Sequence, residues 1–232
     1  MSGRGKYIVA VFIVLLSLAA KAQGDKRLSE LPVKVLISAD AKGFIIYVTG
    51  DGGWNNFSQD LCHNLVKSNY NVLVFDSRKY FWSAKQPDTF ARDITLLANH
   101  YLKEWNKKEF ALVGYSFGAD VAAFLPTRLP ADLLSKLKPV VLVSPSSSTD
   151  FEIKLTDLIG EGSNTKRKFK VVPELLRSTS RVYCIFGQDE ELDVKKELKA
   201  DALITIKELP GSHHYDKAKD QLLQTILTAI GI

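Results

Sequence analysis

The stretch "FALVGYSFGADVAAF", Phe110 to Phe124, decides how this chain is read. A short apolar run leads into Gly114-Tyr115-Ser116-Phe117-Gly118, and a small-residue helical pattern follows. An apolar run without alternation marks a strand buried on both faces. Glycines on both sides of a serine fit a sharp strand-to-helix turn, the context that a G-x-S-x-G nucleophile elbow needs. By itself the pentapeptide is equally a tight turn that only required glycines, so its neighbours have to decide.

On the N-terminal side, "GFIIYVTG" (Gly43 to Gly50) and "NVLVFDS" (Asn71 to Ser77) read as buried strands. Between them Phe57, Leu61, Leu65 and Val66 fall at helical spacing. Residues 87–105 predict a helix with Pro87 near its start and Phe90, Ile94, Leu97, Tyr101 and Trp105 on one face. On the C-terminal side a helix is expected over 118–128, strands over 139–145, 181–187 and 202–210, and a closing helix over 215–230. "VKVLIS" near the start reads as an edge strand. Apolar strands alternating with amphipathic helices predict an α/β fold, a mostly parallel central sheet with helices on both faces. Residues 146–180 break that rhythm. They are polar, include Gly160, Gly162 and the basic run Lys166-Arg167-Lys168, and form a candidate cap or lid.

In an open parallel sheet ligands bind at the carboxyl ends of the strands. Ser116 stands at such an end, as a candidate nucleophile. A serine needs a base and a group to orient it. Of the four histidines, His63 and His100 fall inside helices, whereas "LPGSHHYD" (Leu209 to Asp216) directly follows the last strand. Pro-Gly-x-x-His spacing favours His214 as the base, with His213 the alternative. After the penultimate strand, "CIFGQDEELD" offers Glu190, three residues past Gly187, with Asp189 as the alternative acid. Oxyanion donors are expected at the Phe117 N–H and, from "TGDGGWNNF", at Asp51 or Gly52. Trp54, Tyr115 and the ring-rich loop of Tyr80, Phe81 and Trp82 are candidate pocket walls, the loop rings alternatively packing beneath the cap.

The N-terminus reads as a leader. Arg4 and Lys6 precede the apolar run Tyr7 to Ala20, and Ala20-Lys21-Ala22 is a small-x-small site, so cleavage is expected between Ala22 and Gln23. The run is short for a bilayer span, which takes about 20 residues. Cleavage implies a periplasmic or secreted protein, a single domain over 23–232 and 28 basic against 26 acidic side chains. That near balance gives no case for nucleic acid. Two cysteines, Cys62 and Cys184, exclude a disulfide scaffold, and no metal-ligand spacing or cofactor motif is present.

The blocks "DGGW", "FDSRKYFW", "ARDI", "GYSFGADV", "TRLP", "SPSSSTDFEI", "CIFG" and "PGSHHYD" run in order over nearly the whole chain. Together they resemble the bacterial virulence protein family VirJ/AcvB. The resemblance implies an α/β-hydrolase fold, export, and Ser116 with His214 and Glu190 or Asp189 as a triad. It also implies a small-molecule or lipid-headgroup ester as substrate, in some relatives an aminoacylated phosphatidylglycerol. Transient contact with a membrane surface or with secretion components follows from the same source. A non-catalytic assembly protein on the hydrolase fold is the alternative.

Overall fold

The computed structural model describes residues 23–154, 167–200 and 202–231. The leader expected over residues 1–22 and part of the candidate cap therefore lie outside the described residues. The chain divides into a unit of residues 1–31, whose described part is helical over 23–30, and a unit from Pro32 to Ile232 that carries the whole sheet. Among the described residues no helix is long and apolar enough to cross a membrane.

In chain order the second unit runs β1 (Val33–Leu36), β2 (Gly43–Val48), α1 (Asn56–Lys67), β3 (Tyr70–Phe75), α2 (Ser77–Tyr80), α3 (Pro87–Glu104) and β4 (Phe110–Tyr115). It continues with α4 (Phe117–Ala122), α5 (Ala131–Leu134), β5 (Leu137–Val143), β6 (Ser148–Thr149), β7 (Phe169–Lys170), α6 (Val171–Leu175), β8 (Val182–Gly187), α7 (Asp193–Glu197), β9 (Ile204–Leu209) and α8 (Lys219–Ala229). Seven strands form one sheet in the order β1-β3-β2-β4-β5-β8-β9. Every pair is parallel except the edge strand β1, which is antiparallel to β3. The predicted α/β architecture with a mostly parallel sheet is borne out.

Alternation within each strand explains the two layers. Ile45, Tyr47, Val72, Val74, Val113, Val141 and Val143 face a core shared with Leu61 and Leu65 of α1 and Leu222 and Ile226 of α8. The intervening residues meet the other helix layer: Phe75 packs edge-on to Phe90 of α3, and Phe44 to Trp105 just beyond it. Each such aliphatic side chain contributes about 1.5–3 kcal/mol on full burial. α3 starts with Pro87 in its first turn and Asp88 beside the positive helix end. Cys62 and Cys184 are both buried and unpaired.

Two elements differ from expectation. The helix predicted over 118–128 stops at Ala122, and Leu125 and Arg128 make i to i−3 turns instead. Pro126 has no N–H to continue the ladder. The last helix begins at Lys219 rather than 215, because Tyr215 adopts a left-handed conformation (φ 52°) and is fully buried. The described part of the 146–180 excursion is anchored at its base. β6 and β7 pair as an antiparallel ribbon, and Phe151 is buried against Phe81, Phe124 and Phe169.

α4 crosses β2 and β4 so closely that no side chain fits between them. A Cβ on Gly118 would lie 2.2 Å from the Val48 carbonyl oxygen, and one on Gly114 would lie 2.5 Å from the Gly118 carbonyl oxygen. Gly118→Ala is therefore expected to destabilise the protein by about 3 kcal/mol, the range of an overpacked core site. Denaturant unfolding with an unchanged slope is the measurement.

Candidate active site

Ser116 separates the last residue of β4 from the first of α4, at the carboxyl edge near the middle of the sheet. Its φ of 53° and ψ of −123° lie in a region costly for any residue with a Cβ, on the order of 1–3 kcal/mol. Its N–H extends the parallel ladder to the Val143 carbonyl (2.8 Å), while its own carbonyl accepts from Ala119 N–H (2.8 Å) and Asp120 N–H (3.1 Å). Strand and helix thus both use the serine backbone, and the side chain is left to point off the sheet edge.

His213 reaches that side chain from the loop after β9. Its Nε2 stands 2.9 Å from Ser116 Oγ, and its Nδ1 stands 2.6 Å from Glu190 Oε1. The loop can come this close because Gly187 is bare: a Cβ there would lie 2.6 Å from the Gly211 carbonyl oxygen. With Nδ1–H donating to Glu190, Nε2 carries the lone pair that faces the serine hydroxyl. Glu190 Oε2 accepts from Gly187 N–H (2.6 Å) and from Ser144 Oγ (2.8 Å). Ser144, itself left-handed at φ 51°, also lies 2.8 Å from the Tyr215 hydroxyl, which donates to the Ile185 carbonyl. Burial pushes the Glu190 carboxyl up, but the hydrogen bonds from His213, Gly187 and Ser144 together outweigh it. The group is held below its ordinary value.

The geometry corrects the histidine favoured from spacing. His214 does not approach Ser116; its Nδ1 is 3.2 Å from the Tyr115 hydroxyl, and it borders a separate cavity with Trp54, Phe57 and Asp60. The turn closed by Tyr215 N–H on the Ser212 carbonyl, with Gly211 at φ 101°, sends adjacent side chains to opposite sides. Asp189 is exposed and only its N–H is engaged, on Gly211. Phe117 N–H, at the first helical position, has no partner within the helix. Gly52 N–H is taken by the Asp51 carboxylate (2.9 Å), which leaves the Asp51 N–H as the second candidate donor of the two.

A cavity of about 180 Å³ opens at Ser116 and His213 and includes Phe117, Asp51, Asp120 and Arg167 in its lining. None of the five rings expected to wall it is in that lining. Tyr80 and Phe81 are buried in the aromatic cluster, Tyr80 donating to Asp93 and Phe81 packing edge-on against Phe151 at the base of the excursion. Tyr115 lies behind the triad, stacked on Phe57 and donating to the His213 carbonyl (3.1 Å). Burial, then the charges of Glu190 and Asp51, raise its phenol well above the usual value. Trp54 and the exposed Trp82 border a different surface groove. Sequence reading missed Ser144, Asp120 and Arg167. Ser144 follows β5 directly, so the strand-end rule was the available signal. Asp120 lies one helical turn beyond Ser116. Arg167 sits in a basic run that composition alone assigns to solvent.

Residues 42–231 match the family model described as bacterial virulence protein (VirJ). None of the curated proteins matches the chain. Among solved structures, a lipase-esterase related protein from Clostridium acetobutylicum superposes with a TM-score of 0.60 at 18% identity, over 86% of this chain and 99% of that one. Est1E from Butyrivibrio proteoclasticus gives 0.60 at 14% identity over 86% and 94%. A proline iminopeptidase from Mycobacterium smegmatis gives 0.57 at 14% over 85% and 94%. These likenesses establish the α/β-hydrolase fold.

The depressed Glu190 value has a sign that can be measured. Its folded contacts contribute stability above the unfolded carboxyl value of about 4.3, and that contribution is lost as pH falls through the lower folded value. Urea unfolding of wild type and Glu190→Gln is expected to show a stability difference that shrinks below about pH 4. A difference that grows on acidification contradicts the hydrogen-bonded carboxylate.

Proposed function

The chain belongs to the VirJ family of bacterial virulence proteins, and from that membership and the Ser116–His213–Glu190 geometry we propose that it is a serine hydrolase acting on esters. One observation carries the reading. His213 spans 2.9 Å to a strained serine on one side and 2.6 Å to a buried carboxylate on the other. Ser116 Oγ attacks the acyl carbonyl as His213 Nε2 takes its proton. The Phe117 and Asp51 N–H groups face the developing oxyanion, each such donor contributing about 3 kcal/mol in sites of this kind. The alcohol leaves with the proton from His213, and a water activated by the same nitrogen frees the acyl group. Glu190 keeps the imidazole in the required tautomer and stabilises its charged form.

The finer reading is an aminoacyl ester of a phospholipid headgroup, met in an exported compartment after removal of residues 1–22. Its support is the cavity beside Ser116, whose lining includes the Asp51 carboxylate as a partner for a small acyl group carrying an ammonium. An assembly protein without catalysis would have no use for a serine held at φ 53° in contact with a base.

Fluorophosphonate labelling of wild type, absent in Ser116→Ala, is the first test; unlabelled wild type ends the hydrolase reading. On a panel of soluble esters, His213→Ala is expected to lower kcat by about 10³-fold or more, the scale of losing a triad base. His214→Ala is expected to cost less than about tenfold, since it loses only a hydrogen bond to Tyr115. Equal losses would return the assignment to His214. Asp51→Asn, which retains the backbone N–H, is expected to lower the preference for cationic over neutral aminoacyl esters about tenfold, the worth of one charge-assisted contact. An unchanged preference removes Asp51 from acyl recognition.

A further inference from the structure

Asp120 is the one carboxylate in the described cavity that the triad chemistry does not use and that is also almost wholly buried, at 3% exposure. Both of its oxygens are committed to a single residue: Oδ1 accepts from Ser146 N–H and Oδ2 from Ser146 Oγ, each at 2.6 Å. Ser146 lies two residues beyond Ser144, whose hydroxyl holds Glu190, with Pro145 between them. A rigid proline link joins the residue that Asp120 grips to the residue that grips the acid. Asp120 itself stands on α4, one turn from Ser116, so the nucleophile helix and the segment after β5 are tied together directly over the site.

We propose that Asp120 is a positioning residue of the triad: its carboxylate clamps Ser146 and so fixes the Ser144 segment that holds Glu190 against His213. The clamp is a matter of charge. A carboxylate accepts both Ser146 hydrogens, whereas a neutral carboxyl gives up one acceptor oxygen. Ser146 Oγ then has a second acceptor within reach, the Ser148 carbonyl at 3.1 Å, and can turn away. The groups that face Asp120 are Ser146 after β5, Arg167 from the excursion, His213 after β9 and, across the cavity, Asp51 after β2. Burial pushes the Asp120 carboxyl up to about 7, against the pull of the Ser146 hydrogen bonds and the positive charges of Arg167 and His213. The clamp is therefore closed in mildly alkaline solution and opens as pH falls through neutrality.

This inference rests on the hydrolase reading for its kinetic test, and a second readout frees it from that dependence. Wild type and Asp120→Asn are compared on a soluble ester between about pH 5.5 and 8.5, the window centred on the raised carboxyl value. The variant is expected to lose about tenfold in kcat at the alkaline end, the worth of one charge-assisted hydrogen bond, with KM nearly unmoved. The ratio of wild type to variant shrinks towards one at the acid end, where the wild-type carboxyl is itself neutral. A ratio that stays constant with pH overturns the proposal, and so does a KM change at constant kcat, which would make Asp120 a substrate contact. The downfield proton resonance of His213 Nδ1–H reads the same clamp without turnover. It is expected to broaden in Asp120→Asn at alkaline pH, and an unaltered signal sinks the clamp. Wild type that fails to label with fluorophosphonate removes the hydrolase reading alone, and the resonance still decides. Should Asp120→Asn not fold, Ser146→Ala keeps the backbone donor. It removes a hydrogen bond that favours the charged carboxyl, so the pH at which the resonance broadens should move upward; an unmoved value overturns the clamp.

Discussion

The close approach of α4 to β2 and β4 is the constraint on which the site depends. Only bare Cα atoms at Gly114 and Gly118 allow it, since a methyl group at either would penetrate backbone atoms. That approach compresses the connection into one residue, and the residue so compressed is Ser116 at φ 53°. The strain is offset by what the turn permits: a further ladder bond to Val143 and full burial of Ala119, Val121 and Ala122. It also fixes the chemistry. A serine in extended or helical conformation would point along the sheet or into the helix, whereas here its Oγ leaves the sheet edge. The first N–H of α4 remains without an intrahelical partner.

Once Ser116 is fixed, the groups that meet it must converge from separate strands, and each arrives through an equally local device. Gly187 at the end of β8 admits the loop that carries His213 and donates its own N–H to Glu190. Ser144, left-handed at the end of β5, turns its hydroxyl onto the other side of the same carboxylate. A buried carboxylate with no such partners would be pushed towards its neutral form and would lose its hold on the imidazole tautomer. Three donors keep it charged. The acid thus depends on two neighbouring strands as much as on the loop that bears it, and Asp120 extends that dependence to the nucleophile helix.

What could be read from residues alone follows the range of the forces involved. Strand positions were legible because burial on both faces leaves unbroken apolar runs, as in Phe44 to Val48 and Tyr70 to Phe75. Ser116 and Glu190 were legible because each lies a fixed distance past a strand end. The choice between His213 and His214 was not, because it turns on the φ values of Gly211 and Tyr215. Those are set by the burial of the Tyr215 ring against β8, a contact 30 residues away in sequence. The end of α4 differs for a simpler reason: small-residue periodicity continues to Arg128, but Pro126 has no N–H to carry the helical ladder on.

Of the two roles that composition allows the aromatic loop after β3, Tyr80 and Phe81 take packing beneath the excursion rather than walling a pocket. Large rings in a connection suit either use. Both are turned inward, and Phe81 seats Phe151, with Lys85 N–H on the Phe151 carbonyl and Ile153 N–H on the Phe81 carbonyl. The apolar surface of this loop is therefore consumed in fastening the base of the excursion. The cavity beside Ser116 is left with carboxylates, serines and Arg167 among its lining groups. Phe117, Ile153 and Leu192 share that lining, so polar groups that fix orientation stand beside apolar ones that supply contact area.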